Sequence, residues 1–254
     1  MGNLKLAKKM MLAAKKNGAD YVKTQIFDPK TLKPGPWDTD GRRKIYNKAK
    51  LTFDKYKNLL IFAKKNKIKF FSSVMNVDGA KMILKLQKNI IKIPSMENTN
   101  YKLLSFCNKN FKKILVSTGT AKFSEIRKIK KYINKEKLII LHCTSSYPCD
   151  PSNLNLGKIN LLKKYFKKVG FSDHSTGIQA SIVSLSYNVE CIEKHFTTSH
   201  KLPGRDNKFA ILPKELNNLN EFKNFFYKAN KFKSKDFLNC ETEARNKYRG
   251  RWGV

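Results

Sequence analysis

Two lysines in this chain sit where lysines are costly. Lys23 and Lys92 lie inside or at the end of short apolar runs, DYVKTQ and IIKIPS, where an unpaired ammonium is destabilising unless a bound anion offsets it. Ser73, Ser95, Ser117 and Thr118 end neighbouring runs. Their hydroxyls either donate to phosphate or carboxylate oxygens or cap the helices that follow, as STGTAKFSE would allow; for Ser95 and Ser117 both readings stand. Two of the four histidines, His174 in SDHS and His195 in EKHFT, fall at equivalent points of successive runs. Neutral imidazoles converging there, with carboxylate or water completing the shell, suit Mn, Fe, Co or Zn. His142 in LHCT is a third candidate ligand, and His200 lies in a loop. Glu97, just past Ser95, and Asp206, after the last run, are the free carboxylates placed for proton transfer or hydroxyl binding.

These residues need elements to position them. Seven short apolar runs, 19–27, 68–74, 89–95, 113–118, 138–144, 169–174 and 191–197, alternate with helix-like segments at 4–17, 54–66, 77–88, 99–109, 123–134, 157–168, 177–188 and 213–232. Short β-branched runs alternating with helices read as buried parallel strands in βαβ units. Chemistry gathered at strand ends is the mark of an α/β (β/α)8 TIM barrel, for which about 250 residues suffice. Only seven strands are visible, so the expectation is a barrel lacking its first strand, with two edges to satisfy. The barrel domain is expected over 1–233, with a charged tail at 234–254. Two connections are long: 28–52, a rigid turn cluster around Pro34-Gly35-Pro36-Trp37, and 198–212, which carries Leu202-Pro203-Gly204-Arg205-Asp206.

The net charge of +34 over 254 residues invites a nucleic-acid reading. Only seven of the 53 cations are Arg, and the lysines spread over every helix, so solvated faces explain them and no nucleic-acid partner is expected. No run approaches the roughly 18 apolar residues of a membrane span, and no signal peptide is read at the start, so no membrane partner is expected. Five cysteines without a CxxC pair suit a reducing cytoplasm. No GxGxxG, GxxxxGK[ST] or GxSxG occurs, which argues against dinucleotide, P-loop and hydrolase readings. A Schiff-base role for Lys23 is open in principle, but such enzymes need no metal and the histidine pair argues otherwise.

Seven blocks, GADYVKTQIF, FFSSVMN, IIKIPSMEN, ILVSTGT, LHCTSSYP, VGFSDHSTG and EKHFTTSHKLPGRD, resemble in order the motifs of the N-acetylneuraminate (sialic acid) synthase family. The resemblance implies an enzyme that condenses phosphoenolpyruvate with an N-acyl hexosamine such as N-acetylmannosamine, giving a nine-carbon 2-keto-3-deoxy acid and phosphate. It implies a divalent metal, Mn or Mg, at His174 and His195. It also implies a phosphoenolpyruvate site at Lys23, Ser73, Lys92, Ser95, Ser117 and Ser172. Gln25, Tyr147 and Asp206 would line the acceptor side, and Glu97 matches a carboxylate linked to catalysis. Four departures accompany it. The family's opening AEIGxNHNG strand and its Glu are expected to be missing. Ser72-Ser73-Val74-Met75 replaces STPF, and Ser145 stands where Asn is common, altering contacts to either substrate. A C-terminal antifreeze-like domain is not expected, which bears on whether the chain forms a homo-oligomer. The rivals are a truncated inactive relic of the family and another phosphoenolpyruvate-using sugar-acid synthase.

Overall fold

The computed structural model of the chain describes residues 2–253. Seven strands, β1 (Val22–Ile26), β2 (Phe70–Val74), β3 (Ile90–Ile93), β4 (Lys113–Ser117), β5 (Leu138–Cys143), β6 (Val169–Asp173) and β7 (Ile192–Lys194), form one parallel sheet in sequence order. Helix α1 (Leu4–Lys16) precedes β1, and α2 (Arg42–Ala49), α3 (Phe53–Lys65), α4 (Val77–Leu84), α5 (Tyr101–Asn110), α6 (Phe123–Lys128), α7 (Lys158–Lys163) and α8 (Gln179–Leu185) lie in the connections between strands, with α9 (Pro213–Ala229) after β7. A short α10 (Thr242–Tyr248) follows. The larger core fills the layer between sheet and helices, with Tyr56, Leu59, Ile83, Leu103, Ile114 and Ile126 essentially inaccessible. No described helix is long and apolar enough to cross a membrane.

Successive side chains of a strand point to opposite faces, and the register turns that rule into layers. A second, smaller cluster of Phe71, Ile90, Leu115, Ile139 and Leu141 lines the concave face of the sheet. Two residues further along the same strands come Ser73, Lys92, Ser117 and Cys143, and the paired register adds Ser172 opposite Cys143 and Glu193 opposite Ser172. Lys23 lies opposite Phe71 on the other edge. The apolar floor therefore carries a polar storey directly above it, at the C-terminal ends of the strands.

The eighth strand that a closed (β/α)8 barrel requires is not among the described residues, and β1 and β7 are not paired with each other. The sheet is a curled seven-stranded array with β1 and β7 at its open edges, as the seven visible runs predict. Side chains bridge the seam instead. On the outside α1 packs on α9, Lys223 of α9 bonds Asp20 at 3.2 Å, and Gly18, at φ +92°, lies against Asn220. On the inside Lys23 of β1 reaches Glu193 of β7 at 3.2 Å.

Other differences are local. The 28–52 connection holds α2 as well as its turns, pinned by Lys50 to Asp28 and by Arg43 to Asp38. The run at 191–197 pairs only over three residues, after which Phe196 forms an isolated parallel bridge with Ile211. From Tyr227 to Gly253 every described residue except Leu238 is exposed.

Gly170 shows how closely β5, β6 and β7 approach. A Cβ built there would lie 2.6 Å from Leu141 Cδ2 and 2.7 Å from the Cys191 carbonyl oxygen. The backbone oxygen cannot step aside, so Gly170→Ala is expected to destabilise the chain by about 1–3 kcal/mol, read as a lower midpoint in urea unfolding.

Candidate active site

Glu193 is the hub of the polar storey. Its Oε1 lies 3.2 Å from Lys23 Nζ, and its Oε2 accepts from Lys92 Nζ and, at 2.9 Å, from Ser172 Oγ. The two lysines are thus paired within the protein, which corrects the expectation that a bound anion alone offsets their burial. No sequence spacing pointed to Glu193: Lys92 is 101 residues away and Lys23 is 170. Burial pushes Lys23 down to about 8. Burial and then the Lys23 charge hold Lys92 well below the usual lysine range. Two ammoniums and one carboxylate leave a net positive charge at the mouth, suited to an anionic substrate.

Beside them is a cradle of small polar groups over Gly119. A Cβ at Gly119 would fall 2.1 Å from Ser145 Oγ, 2.8 Å from Ser95 Oγ and 3.2 Å from Cys143 Sγ. Ser95 Oγ accepts from the Gly119 N–H at 3.1 Å and donates to Cys143 Sγ. Ser117 Oγ and Ser145 Oγ are buried with no hydrogen-bond partner among the described residues. Buried polar atoms are rarely left so, and two unsatisfied hydroxyls beside two lysines mark a place for anionic oxygens. Thr118 does not join them; its hydroxyl donates to the Leu141 carbonyl of the neighbouring β5 at 3.0 Å. Ser73 Oγ approaches Gln25 Oε1 at 3.4 Å at the edge of the same storey.

His174 and His195 face each other with ring centroids 5.4 Å apart. Thr144 O lies 3.1 Å from His174 Nδ1; a proton on Nδ1 donated there leaves the Nε2 lone pair free. Desolvation, then the charges of His174, Lys23 and Lys92, hold His195 well below the usual imidazole range, so it is neutral. A divalent metal fits this donor set as a two-imidazole site. No cluster of three His, Cys, Asp or Glu able to hold a metal occurs among the described residues, so water or substrate oxygens would supply the rest of the shell. His142 is not part of it. It faces the outer layer, bonded through Nε2 to Leu154 O at 2.8 Å and stacked on Phe171, because it alternates with Leu141 and Cys143, which face inward.

The rim comes from two loops. Tyr147, half exposed, sits with its ring centroid 4.3 Å from His174 and 6.1 Å from Phe209. The 198–212 connection returns so that Ile211 N donates to His195 O at 2.8 Å and Phe209 packs 5.3 Å from the His195 ring. That return carries Asp206, whose Oδ2 lies 4.0 Å from His195 Nδ1. Glu97 stands apart, its carboxylate accepting from Asn100 Nδ2 at 2.9 Å with no bond to the lysines or histidines. Motif reading missed Phe209 and Cys143. Burial raises the Cys143 thiol, but the hydrogen bond and charge of His174 outweigh it and bring the thiol to about 7. Its place two residues beyond Leu141 on the inward face was the available signal.

Comparison with known proteins shows the family of the chain. The model of the NeuB family matches residues 10–234. The chain is 34% identical to the N,N'-diacetyllegionaminic acid synthase of Campylobacter jejuni, over 85% of this chain and 70% of that protein. It is 32% identical to the pseudaminic acid synthase of the same species, over 83% and 66%. It therefore spans about two thirds of the length of these relatives. Among solved structures, the N-acetylneuraminic acid (sialic acid) synthetase of Leptospira borgpetersenii, in complex with citrate, superposes with a TM-score of 0.86 at 29% identity, covering 98% of this chain and 88% of that one. With the family model covering most of its length and relatives above 30% identity over more than four fifths of it, the chain belongs to the NeuB family.

Proposed function

We propose that this chain is a nonulosonic acid synthase that condenses phosphoenolpyruvate with an N-acyl hexosamine, of the N-acetylmannosamine type, to a nine-carbon 2-keto-3-deoxy acid and phosphate. The observation that carries the reading is the storey of Lys23, Lys92 and Ser172 around Glu193, next to the unpartnered Ser117 and Ser145 hydroxyls. The synthase names of its relatives support the same reading.

In this mechanism Lys23 and Lys92 hold the anionic oxygens of phosphoenolpyruvate, and the Ser95, Ser117, Ser145 and Ser172 hydroxyls orient them. Gln25, Tyr147 and Asp206 line the side from which the sugar enters. A C–C bond forms between C3 of phosphoenolpyruvate and the aldehyde carbon; water adds at C2, and inorganic phosphate departs. His174 and His195 would hold a divalent cation, Mn or Mg, which when bound polarises the aldehyde as a Lewis acid. The lysines stabilise charge that develops during the reaction without giving up protons. Glu97, bonded to Asn100, reaches the reacting atoms only if substrate binding releases it.

Lys23 makes anion binding fall off at high pH. Its ammonium is needed for the anion and its pKa is lowered to about 8. Phosphoenolpyruvate affinity is expected to hold below that value and to fall as the pH rises past it, as titration calorimetry between pH 7 and pH 9.5 would read. The reading itself is tested by incubating the chain with Mn, phosphoenolpyruvate and a panel of N-acyl hexosamines, following phosphate release and product mass. Sugar-dependent release with a nine-carbon keto acid supports it and names the acceptor. Release only with phosphorylated sugars would favour another sugar-acid synthase, and no release with any sugar would leave the family membership without this activity.

A further inference from the structure

Glu193 is placed oddly for an anion-binding site: a carboxylate stands among the groups that should attract negative charge. Its two oxygens are both engaged, Oε1 by Lys23 from β1 and Oε2 by Lys92 from β3 and Ser172 from β6. Lys92 is 6% exposed along its side chain and Lys23 24%, so the cations are held in a confined space where they repel each other. Each lysine side chain has four rotatable bonds and three donors. One donor of each goes to Glu193, and two of each remain.

We propose that Glu193 is a positioning residue that clamps Lys23 and Lys92 in one fixed arrangement, so that an arriving phosphate or carboxylate meets both ammoniums at once. This rests on the phosphoenolpyruvate reading and assigns a residue to it. The clamp also spans the seam, because Lys23 and Glu193 belong to the two strands that no hydrogen-bond ladder joins. The alternative role has the opposite sign. A carboxylate that merely fills the site until substrate arrives competes with it, and its removal would tighten anion binding. A clamp does the reverse: without it the lysines separate, and the ordering that Glu193 supplies in advance falls on the ligand.

Glu193→Gln keeps the size of the side chain and removes its charge. Phosphoenolpyruvate and inorganic phosphate would be titrated calorimetrically into both proteins, and KM for each substrate and kcat measured alongside. The clamp is expected to show as a Kd for both anions raised about 10–100-fold, the scale of a lost charged hydrogen bond. KM for phosphoenolpyruvate should rise in parallel, while KM for the sugar stays within about twofold. Unchanged or tighter anion binding in the variant overturns the clamp, as does an equal change in both KM values, which would mark a general structural role. Wild-type protein that binds inorganic phosphate but not phosphoenolpyruvate overturns the phosphoenolpyruvate reading alone, and the clamp is then decided by phosphate affinity. Wild-type protein that binds neither anion overturns both.

Discussion

His195→Ala is expected to lower sugar-dependent turnover by about 10³-fold or more while leaving the fold intact. Lewis-acid polarisation of a carbonyl contributes several kcal/mol to the transition state, and each 1.36 kcal/mol is tenfold in rate. The side chain of His195 is 38% exposed, so its removal opens the rim near Phe209 and Tyr147 rather than a sealed core. Unfolding midpoints should move little. Loss of the imidazole should also weaken Mn binding, which electron paramagnetic resonance reads without turnover. A variant with full activity and unchanged Mn affinity would remove the metal from His195.

The second large effect concerns stability. Asp173 and Lys194 form an ion pair at 2.8 Å, and their side chains are 0% and 5% exposed. Asp173 points away from the concave face and also accepts from Ser175 N at 2.8 Å, Ser175 Oγ at 2.7 Å and Ser181 Oγ at 2.6 Å, while Lys194 donates to Ser175 O. Lys194→Met would leave a buried carboxylate without its cation, and breaking such a pair from one side costs about 3–5 kcal/mol. Urea unfolding is expected to show that loss. The Asp173→Asn, Lys194→Met double variant should recover much of it, since no unpaired charge remains. A single variant within about 1 kcal/mol of wild type would mean that the pair does not carry the packing of β6 and β7.

These two lysines show why the site was only partly legible in the sequence. Lys92 and Lys194 both interrupt apolar strands, yet Lys92 faces the concave side and Lys194 the helices. Strand alternation separates them, but only once the register is known. Buried parallel strands announce themselves as short apolar runs, which is why all seven were readable and why His174, His195 and the serines fell near their ends. The open edges were readable too, since only seven runs were visible, but the side chains that bridge them were not, because Lys23 and Glu193 lie far apart in the chain. Glu193 was visible at the end of the seventh run, but its role was not: β7 pairs over three residues, too few for an alternation signal. Its value comes from Lys23 and Lys92, distant in the chain. His142 was misplaced because a strand-end position was weighed above the alternation that sends it outward. The polar α2 segment, RRKIYNKA, offered little apolar periodicity to read.

The most direct test of the account is a crystal structure of the chain soaked with phosphoenolpyruvate and Mn. The expected result is phosphate and carboxylate density within hydrogen-bond reach of Lys23 and Lys92, satisfying the Ser117 and Ser145 hydroxyls, with a cation between His174 and His195. Saturating phosphoenolpyruvate found elsewhere on the surface, with those two hydroxyls still unpartnered, would contradict it.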